Sequence, residues 1–251
     1  MFRQFLVFLL AFNSACYAVD QVSARPREVM SYVSRHLSEK PVILECGGFN
    51  GVDTKFMASF WPKSTIHTFE PVPELFNQLV QRTKSYLNVH PYQIALADYK
   101  GKMTFYLANY PSGSVSGSSS LLPPKEHLKY DPCKFTKTIV VDAMDLDSWA
   151  SLNNVDHIDF MWLDMQGYEL NMLKVSELAK KVKIIYIEVI FVEAYKGQYL
   201  YGDVKKWMLQ NGFELIALDF PEEIGLAGNS VISPGNGLPY YGNAFFLNKN
   251  K

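Results

Sequence analysis

The feature that most constrains this chain is the alternation of short apolar runs with helical patterns. PVILEC, TIHTFE, HIDFMWLD and KIIYIEVIF read as buried strands, and each is followed by a helical pattern: VDTKFMASFW, PELFNQLVQRTK, YELNMLKVSELAK and DVKKWMLQN. Strands that alternate with helices make βαβ units, so the expected fold is α/β, with a mostly parallel sheet and helices on both faces. FELIALDF and NAFFLNK close the chain with no helical pattern between them. That predicts an antiparallel strand pair at one sheet edge.

The remaining segments fit around this frame. REVMSYVSRHL reads as a lead-in helix, VHPYQIALAD and KMTFYLA as strands joined by a DYKG turn, TKTIVV as a short strand and LDSWASL as a short helix. Residues 109–132 have neither period and are rich in Ser, Gly and Pro. A loop of that length in a compact domain is functional or disordered, and here it is expected to act as a mobile lid carrying Lys125 and His127 toward a substrate.

At 251 residues, one domain over 41–251 is expected, preceded by a linker and helix over 19–40. Residues 1–18 combine Arg3, the apolar stretch Phe5 to Phe12 and a small residue at Ala18, which is the pattern of a cleaved secretory leader. The expected location is therefore outside the cytosol, with no membrane span left in the mature chain. Lys and Arg total 24 against 25 Asp and Glu, with no basic block, so nucleic acid is not an expected partner. Cys46 and Cys133 are too few for a disulfide scaffold, and the five histidines lack ligand spacing, so no Cys/His metal site is expected.

The stretch ILECGGFNG places Gly47, Gly48 and Gly51 between a strand and a helix. Glycines there let the backbone approach a ligand, and the free N–H groups of the following helix attract a negative group. Glu70 follows at the tip of the next strand, where an acid about 20 residues after the turn is placed to accept hydrogen bonds from ribose hydroxyls. NAD and S-adenosylmethionine both meet these conditions. The spacing is not G-x-G-x-x-G, and Glu45 inside the turn suits a cationic amino group better than a diphosphate, which favours S-adenosylmethionine.

From Glu45 to about Phe220 the chain resembles the FkbM family of S-adenosylmethionine-dependent methyltransferases. The resemblance rests on ILECGGFNGVDT, HTFEPVPELFNQL, IALADYKGKMTFY, GSSSLL, LDSW, IDFMWLDMQGYELNML and IEVIFVEAYKGQYLYGDVKKWMLQNGFEL. It implies a class I methyltransferase fold, Rossmann-like in its sheet, and O-methylation of a hydroxyl on a small molecule or glycan. By the same resemblance Glu45, Gly47, Gly48 and Gly51 form the methionine-binding loop, Glu70 clamps the ribose, Asp98 lies near the adenine amino group, and Ser119 and Ser120 stand beside the cofactor. The chain departs from the family's common KxDxEG, having Trp162 to Gly167 as WLDMQG.

Methyl transfer to oxygen needs in-line alignment and removal of the hydroxyl proton. Ligands of open α/β sheets bind at the carboxyl ends of the strands, where Asp164 ends one strand and Glu188 lies in the next. These two are the expected catalytic residues, with Asp164 as base or substrate positioner. Glu169 reads as helix N-terminal charge. Two carboxylates alone do not assign a metal. The competing reading is an exported, non-catalytic binding protein that retains the fold.

Overall fold

A computed structural model describes residues 26–219 and 240–251. The expected leader over 1–18 and the linker as far as residue 25 lie outside the described residues. The elements, in order, are α1 (Pro26–Ser34), β1 (Val42–Cys46), α2 (Val52–Phe60), β2 (Thr65–Phe69), α3 (Pro73–Thr83) and β3 (Val89–Tyr92). There follow β4 (Ala95–Ala97), β5 (Gly101–Asn109), α4 (His127–Tyr130), β6 (Lys134–Asp145) and α5 (Leu146–Leu152). The chain continues through β7 (Phe160–Leu163), α6 (Glu169–Val175), β8 (Ile184–Ile190), α7 (Tyr201–Gln210), β9 (Phe213–Asp219) and β10 (Tyr241–Asn248).

Seven strands form one sheet in the order β3-β2-β1-β7-β8-β10-β9. The pairs from β3 to β8 are parallel, and β10 is antiparallel to both β8 and β9. The expected antiparallel pair is present, with β10 inserted between β8 and the edge strand β9. The chain leaves β1 toward β2 and later returns to its other side with β7. The switch point, where open α/β sheets bind ligands, therefore lies between the ends of β1 and β7.

Helices cover both faces. Leu44, Leu163 and Ile187 turn to one side and pack with Trp149, Leu173 and Met208 from α5, α6 and α7. Ile43, Phe160 and Phe245 turn to the other side and meet Met30 and Met57 from α1 and α2. This alternation is the period of 2 expected of strands buried on both faces. Each such side chain contributes about 1.5–3 kcal/mol on full burial, and the core does without a disulfide: Cys46 and Cys133 are both free and buried.

A second sheet, β4-β6-β5, was not foreseen. It arises because VHPYQIALAD is two strands and not one. Val89–Tyr92 joins β2 at the main sheet's edge, where Pro91 is tolerated, and Ala95–Ala97 turns away to pair with β6. TKTIVV is part of a twelve-residue strand whose Val141 and Ala143 face Phe105, Leu107 and Leu121 in a separate small core.

The helix expected over YELNMLKVSELAK stops at Val175. There the Asp147 carboxylate accepts the main-chain N–H groups of Glu177 and Leu178 at 2.8 and 3.1 Å, drawing the chain out of the helical path. The long loop is stitched down. Ser120 bridges to Tyr106, Val115 to Asn109 and Pro124 to Tyr195, and the N–H groups of Lys125 and His127 both reach the Ala194 carbonyl. Among the described residues no helix is long and apolar enough to cross a membrane.

Candidate active site

A cavity of about 810 Å³, counting its open mouth, lies at the switch point. Gly47 and Phe49 after β1, Glu70 after β2 and Asp164 after β7 form one wall. Val72, Leu75, Ile94, Leu96, Phe105 and Leu121 give an apolar wall, and Ser116, Gly117 and Ser119 from the long loop close one side. The charged residues lining it are Asp53, Glu70 and Asp164, all acids.

Gly47 is demanded by the chain itself. Its φ is +88°, and a β-carbon there would stand 1.9 Å from the Asp164 carbonyl oxygen, because β1 and β7 are bonded at this level by Asp164 N–H to Cys46 O at 2.9 Å. The turn ahead of α2 spends most of its own donors internally. Gly47 and Gly48 give their N–H groups to Phe69 O, Phe49 gives its to Glu70, Gly51 to Gly48 O and Val52 to Asn50 Oδ1. With these five donors spent inside the protein, a diphosphate would find few there.

Of the sequence-derived residues, Gly47, Glu70 and Asp164 line the cavity. Glu45 does not. It is buried beneath the turn, where Thr54 donates its hydroxyl to it at 2.5 Å, and burial pushes its pKa up to about 7. Gly48 and Gly51 also lie behind the lining, against Leu79 of α3. Asp98 is exposed and accepts the Tyr168 hydroxyl at 2.8 Å, away from the cavity wall. Ser120 is fully buried and donates to the Gln166 carbonyl at 2.8 Å, and of the two adjacent serines it is Ser119 that lines the cavity.

Glu70 accepts Phe49 N–H at 3.0 Å and Val72 N–H at 2.7 Å. Burial raises its pKa to about 8, against the lowering effect of those two bonds. Asp164 opens onto the cavity, yet the surrounding protein desolvates it and lifts its pKa to about 6. Glu188 is buried and lifted well above the ordinary range by the same cause, with the charges of Asp164 and Glu169 adding to it. Glu169 accepts the N–H groups of Met165 and Gly167, which confirms a local role at its helix start.

Asp164 and Glu188 are brought together by Gln166, which the sequence reading had noted only as a departure. Its Nε2 donates to Asp164 Oδ1 at 2.8 Å and to Glu188 Oε2 at 2.9 Å. Register puts Asn243 of β10 opposite Glu188, with its side chain on the same face. Asp53, in the first turn of α2, was likewise missed. Its only sequence signal is an acid two residues past the glycine turn. His127 is buried against Phe135, Tyr195 and Tyr240, and Lys125 is paired with Glu193, so neither is carried toward the cavity. Among the described residues no group of three or more His, Cys, Asp or Glu is arranged to hold a metal ion.

Comparison with known proteins matches residues 45–215 to the methyltransferase FkbM domain. The chain belongs to that family. It is accordingly an S-adenosylmethionine-dependent methyltransferase, as the matched segment contains the glycine turn, both strand-tip acids and the Gln166 turn. A similar protein, the 2-O-methyltransferase NoeI of Sinorhizobium fredii (strain NBRC 101917 / NGR234), is 28% identical over 210 residues, covering 82% of this chain and 83% of its own. An rRNA methylase from Streptococcus thermophilus aligns with a TM-score of 0.48 at 12% identity, over 90% of this chain and 97% of its own. The precorrin-6y C5,15-methyltransferase from Geobacter metallireducens GS-15 aligns at 0.45 and 10% identity, over 92% and 95%. The strand order seen directly, and not these remote likenesses, defines the fold as that of class I methyltransferases.

Proposed function

We propose that this FkbM-family enzyme methylates a hydroxyl oxygen of a small-molecule or glycan acceptor, with Asp164 as the proton acceptor. The observation that carries the reading is the cavity's lining: its charged residues are acids, its other wall is apolar, and five N–H groups of the glycine turn are used inside the protein. That donor set fits a cationic nucleoside with a flat apolar base and does not fit a dinucleotide diphosphate. Glu70 and the apolar residues Val72, Ile94 and Leu96 would hold the nucleoside, and Asp53 and Asp164 would face its cationic end. When bound, S-adenosylmethionine supplies a methyl group on a positively charged sulfur.

The chain's own contribution is alignment and proton removal. Asp164, at the tip of β7 and open to the cavity, takes the hydroxyl proton as the new bond to oxygen forms. Glu188, buried behind it, is joined to it through Gln166. The similar protein NoeI is a 2-O-methyltransferase, which supports oxygen as the methylated atom.

Calorimetric titration with S-adenosylmethionine and NAD, followed by transfer of labelled methyl to a panel of hydroxyl-bearing glycans and small alcohols, tests the reading. Binding of the first ligand alone and a loss of roughly 100-fold or more in transfer for Asp164→Asn are expected. NAD binding, or a variant as active as the parent, would overturn it. Residues 1–18 support export, which fusion of residues 1–20 to a reporter active only outside the cytosol tests: a silent reporter places the enzyme inside the cell.

A further inference from the structure

We propose that Gln166 is a positioning residue of this site: its side-chain amide locks Asp164 and Glu188 into one unit that shares a single proton and leaves Asp164 as the proton acceptor. The inference rests on the reading of Asp164 as base and names what sets it.

A primary amide nitrogen has two hydrogens, and here each is used on a different carboxylate, at 2.8 and 2.9 Å. The orientation of the amide follows from the acids: an ionised carboxylate oxygen only accepts, so Nε2 is the end turned to them and Oε1 points away. The Tyr195 hydroxyl lies 2.7 Å from Gln166 Oε1 and 2.8 Å from the Ser118 carbonyl oxygen. Its single hydrogen lies between these two acceptors and steadies the amide oxygen on that side.

The backbone is held as firmly. Gln166 has φ 52°, a left-handed conformation that is unfavourable for a residue with a side chain. It is kept there by Ser120 Oγ on its carbonyl and by Glu169 on the N–H groups of Met165 and Gly167. A strained turn fixed from three sides, ending in an amide that bridges two acids, is more than packing requires.

The need for such a bridge is electrostatic. Asp164 is faced by Asp53 from α2, Glu45 from β1, Glu70 from β2, Glu169 from α6 and Glu188 from β8, with Tyr195 and Tyr241 beyond. No cation is among these groups. Two carboxylates brought together without a counter-charge hold one proton between them. The neutral amide donor lets them approach, and the more deeply buried Glu188 keeps the proton while Asp164, open to the cavity, is the one that ionises.

The test needs neither cofactor nor acceptor. Carboxyl ¹³C NMR titration of the folded full chain follows Asp164 and Glu188 in the parent, in Gln166→Met and in Tyr195→Phe. Gln166→Met removes the donor without adding charge, and the Asp164 midpoint should rise by about one pH unit or more, roughly a tenfold change in proton affinity. Tyr195→Phe releases the far end of the amide and should raise it in the same direction by less. If Gln166→Met does not fold, Tyr195→Phe decides. Unchanged midpoints in the folded variants, or independent titration of the two acids in the parent, would overturn the proposal. Failure of the parent to bind S-adenosylmethionine in calorimetry would instead remove the functional reading and leave the titration result standing.

Discussion

The Glu70 carboxylate accepts the main-chain N–H of Phe49 at 3.0 Å, so the acid at the tip of β2 anchors the glycine turn after β1. Phe49 itself has φ 47°, and its N–H bond to Glu70 helps to hold the turn in this conformation. Holding this turn is a task of Glu70 separate from the proposed ribose clamp. Replacement by Ala is expected to lower the stability of the ligand-free protein by about 1–3 kcal/mol, the usual cost of leaving a buried donor unpaired, and to weaken cofactor binding as well. Urea unfolding without ligand checks the first part. Unchanged stability with weakened binding would mean that the carboxylate serves the ligand alone.

Gly47 and Gly113 separate close approach from backbone conformation. Both have positive φ, +88° and +91°, but a β-carbon at Gly47 meets the Asp164 carbonyl whereas at Gly113 it meets nothing within 4 Å. Gly113→Ala should cost only the left-handed strain, on the order of 1–2 kcal/mol. Gly47→Ala must also push β1 and β7 apart and should cost more than about 3 kcal/mol or prevent folding. Equal losses in thermal unfolding would show that the strand contact is not what excludes a side chain.

The strands and helices that carry this site were legible because the apolar runs ending at Cys46, Phe69 and Leu163 are short, continuous and punctuated. Glu70 and Asp164 could be named because they end such runs. The second sheet was not legible: nothing local in VHPYQIALAD says that Tyr92 and Ala95 belong to different sheets, since the break is set by what each half packs against. Gln166 was hidden for a similar reason. Its importance depends on the register that sets Leu163 beside Ile187, and so brings the next residue, Asp164, level with Glu188. Ser119 and Ser120 differ in role only through which way the strand-like bridge to Tyr106 turns each of them.

Stability should fall as pH rises from about 6.5 to 8. Glu45, Glu70 and Glu169 have folded-state pKa values pushed up by burial to about 7, 8 and 7 from an ordinary 4.5. A group whose pKa is raised by folding gives stability that is present below its unfolded value and lost as pH climbs through its folded value. The lowered pKa of His67, about 4, works in the opposite direction, but only below the ordinary histidine value of 6.5. Above that pH the acids act alone. Urea midpoints at pH 6.5 and 8 check the sign, and a higher midpoint at pH 8 would contradict the burial of these carboxylates.

The acids lining the cavity also predict how cofactor and product should differ. S-adenosylmethionine carries a cationic sulfur that S-adenosylhomocysteine lacks, and ionisation of Glu70 and Asp164, with pKa values near 8 and 6, adds negative charge around it as pH rises. Affinity for the cation should therefore gain on affinity for the neutral thioether between pH 6 and 8. A gain of several-fold is expected, since one pKa unit of coupling corresponds to about tenfold. Paired calorimetric titrations at the two pH values measure it, and a constant ratio would place the sulfur away from these carboxylates.

The long loop should prove a fixed wall and not a moving lid. Its two ends are tied to different parts of the molecule, Ser116 and Ser120 to β5 by N–H bonds of 2.8 and 3.1 Å, and Lys125 and His127 to Ala194 by bonds of 2.7 and 3.1 Å. His127 cannot serve as a base on that wall. It is buried in a ring of Phe135, Tyr195 and Tyr240, its Nδ1 has no hydrogen-bond partner, and burial lowers its pKa against the raising effect of Asp131. An aromatic of similar size should replace it at little cost: His127→Phe is expected to retain methyl transfer within about threefold and to lose less than about 1 kcal/mol of stability, because only a 3.9 Å approach to Asp131 is removed. Amide exchange should show the Ser116 and Ser120 N–H groups protected in the ligand-free protein, where a free lid would leave them open. Fast exchange at both positions, slowed only by added S-adenosylhomocysteine, together with inactive His127→Phe, would restore the lid and its histidine.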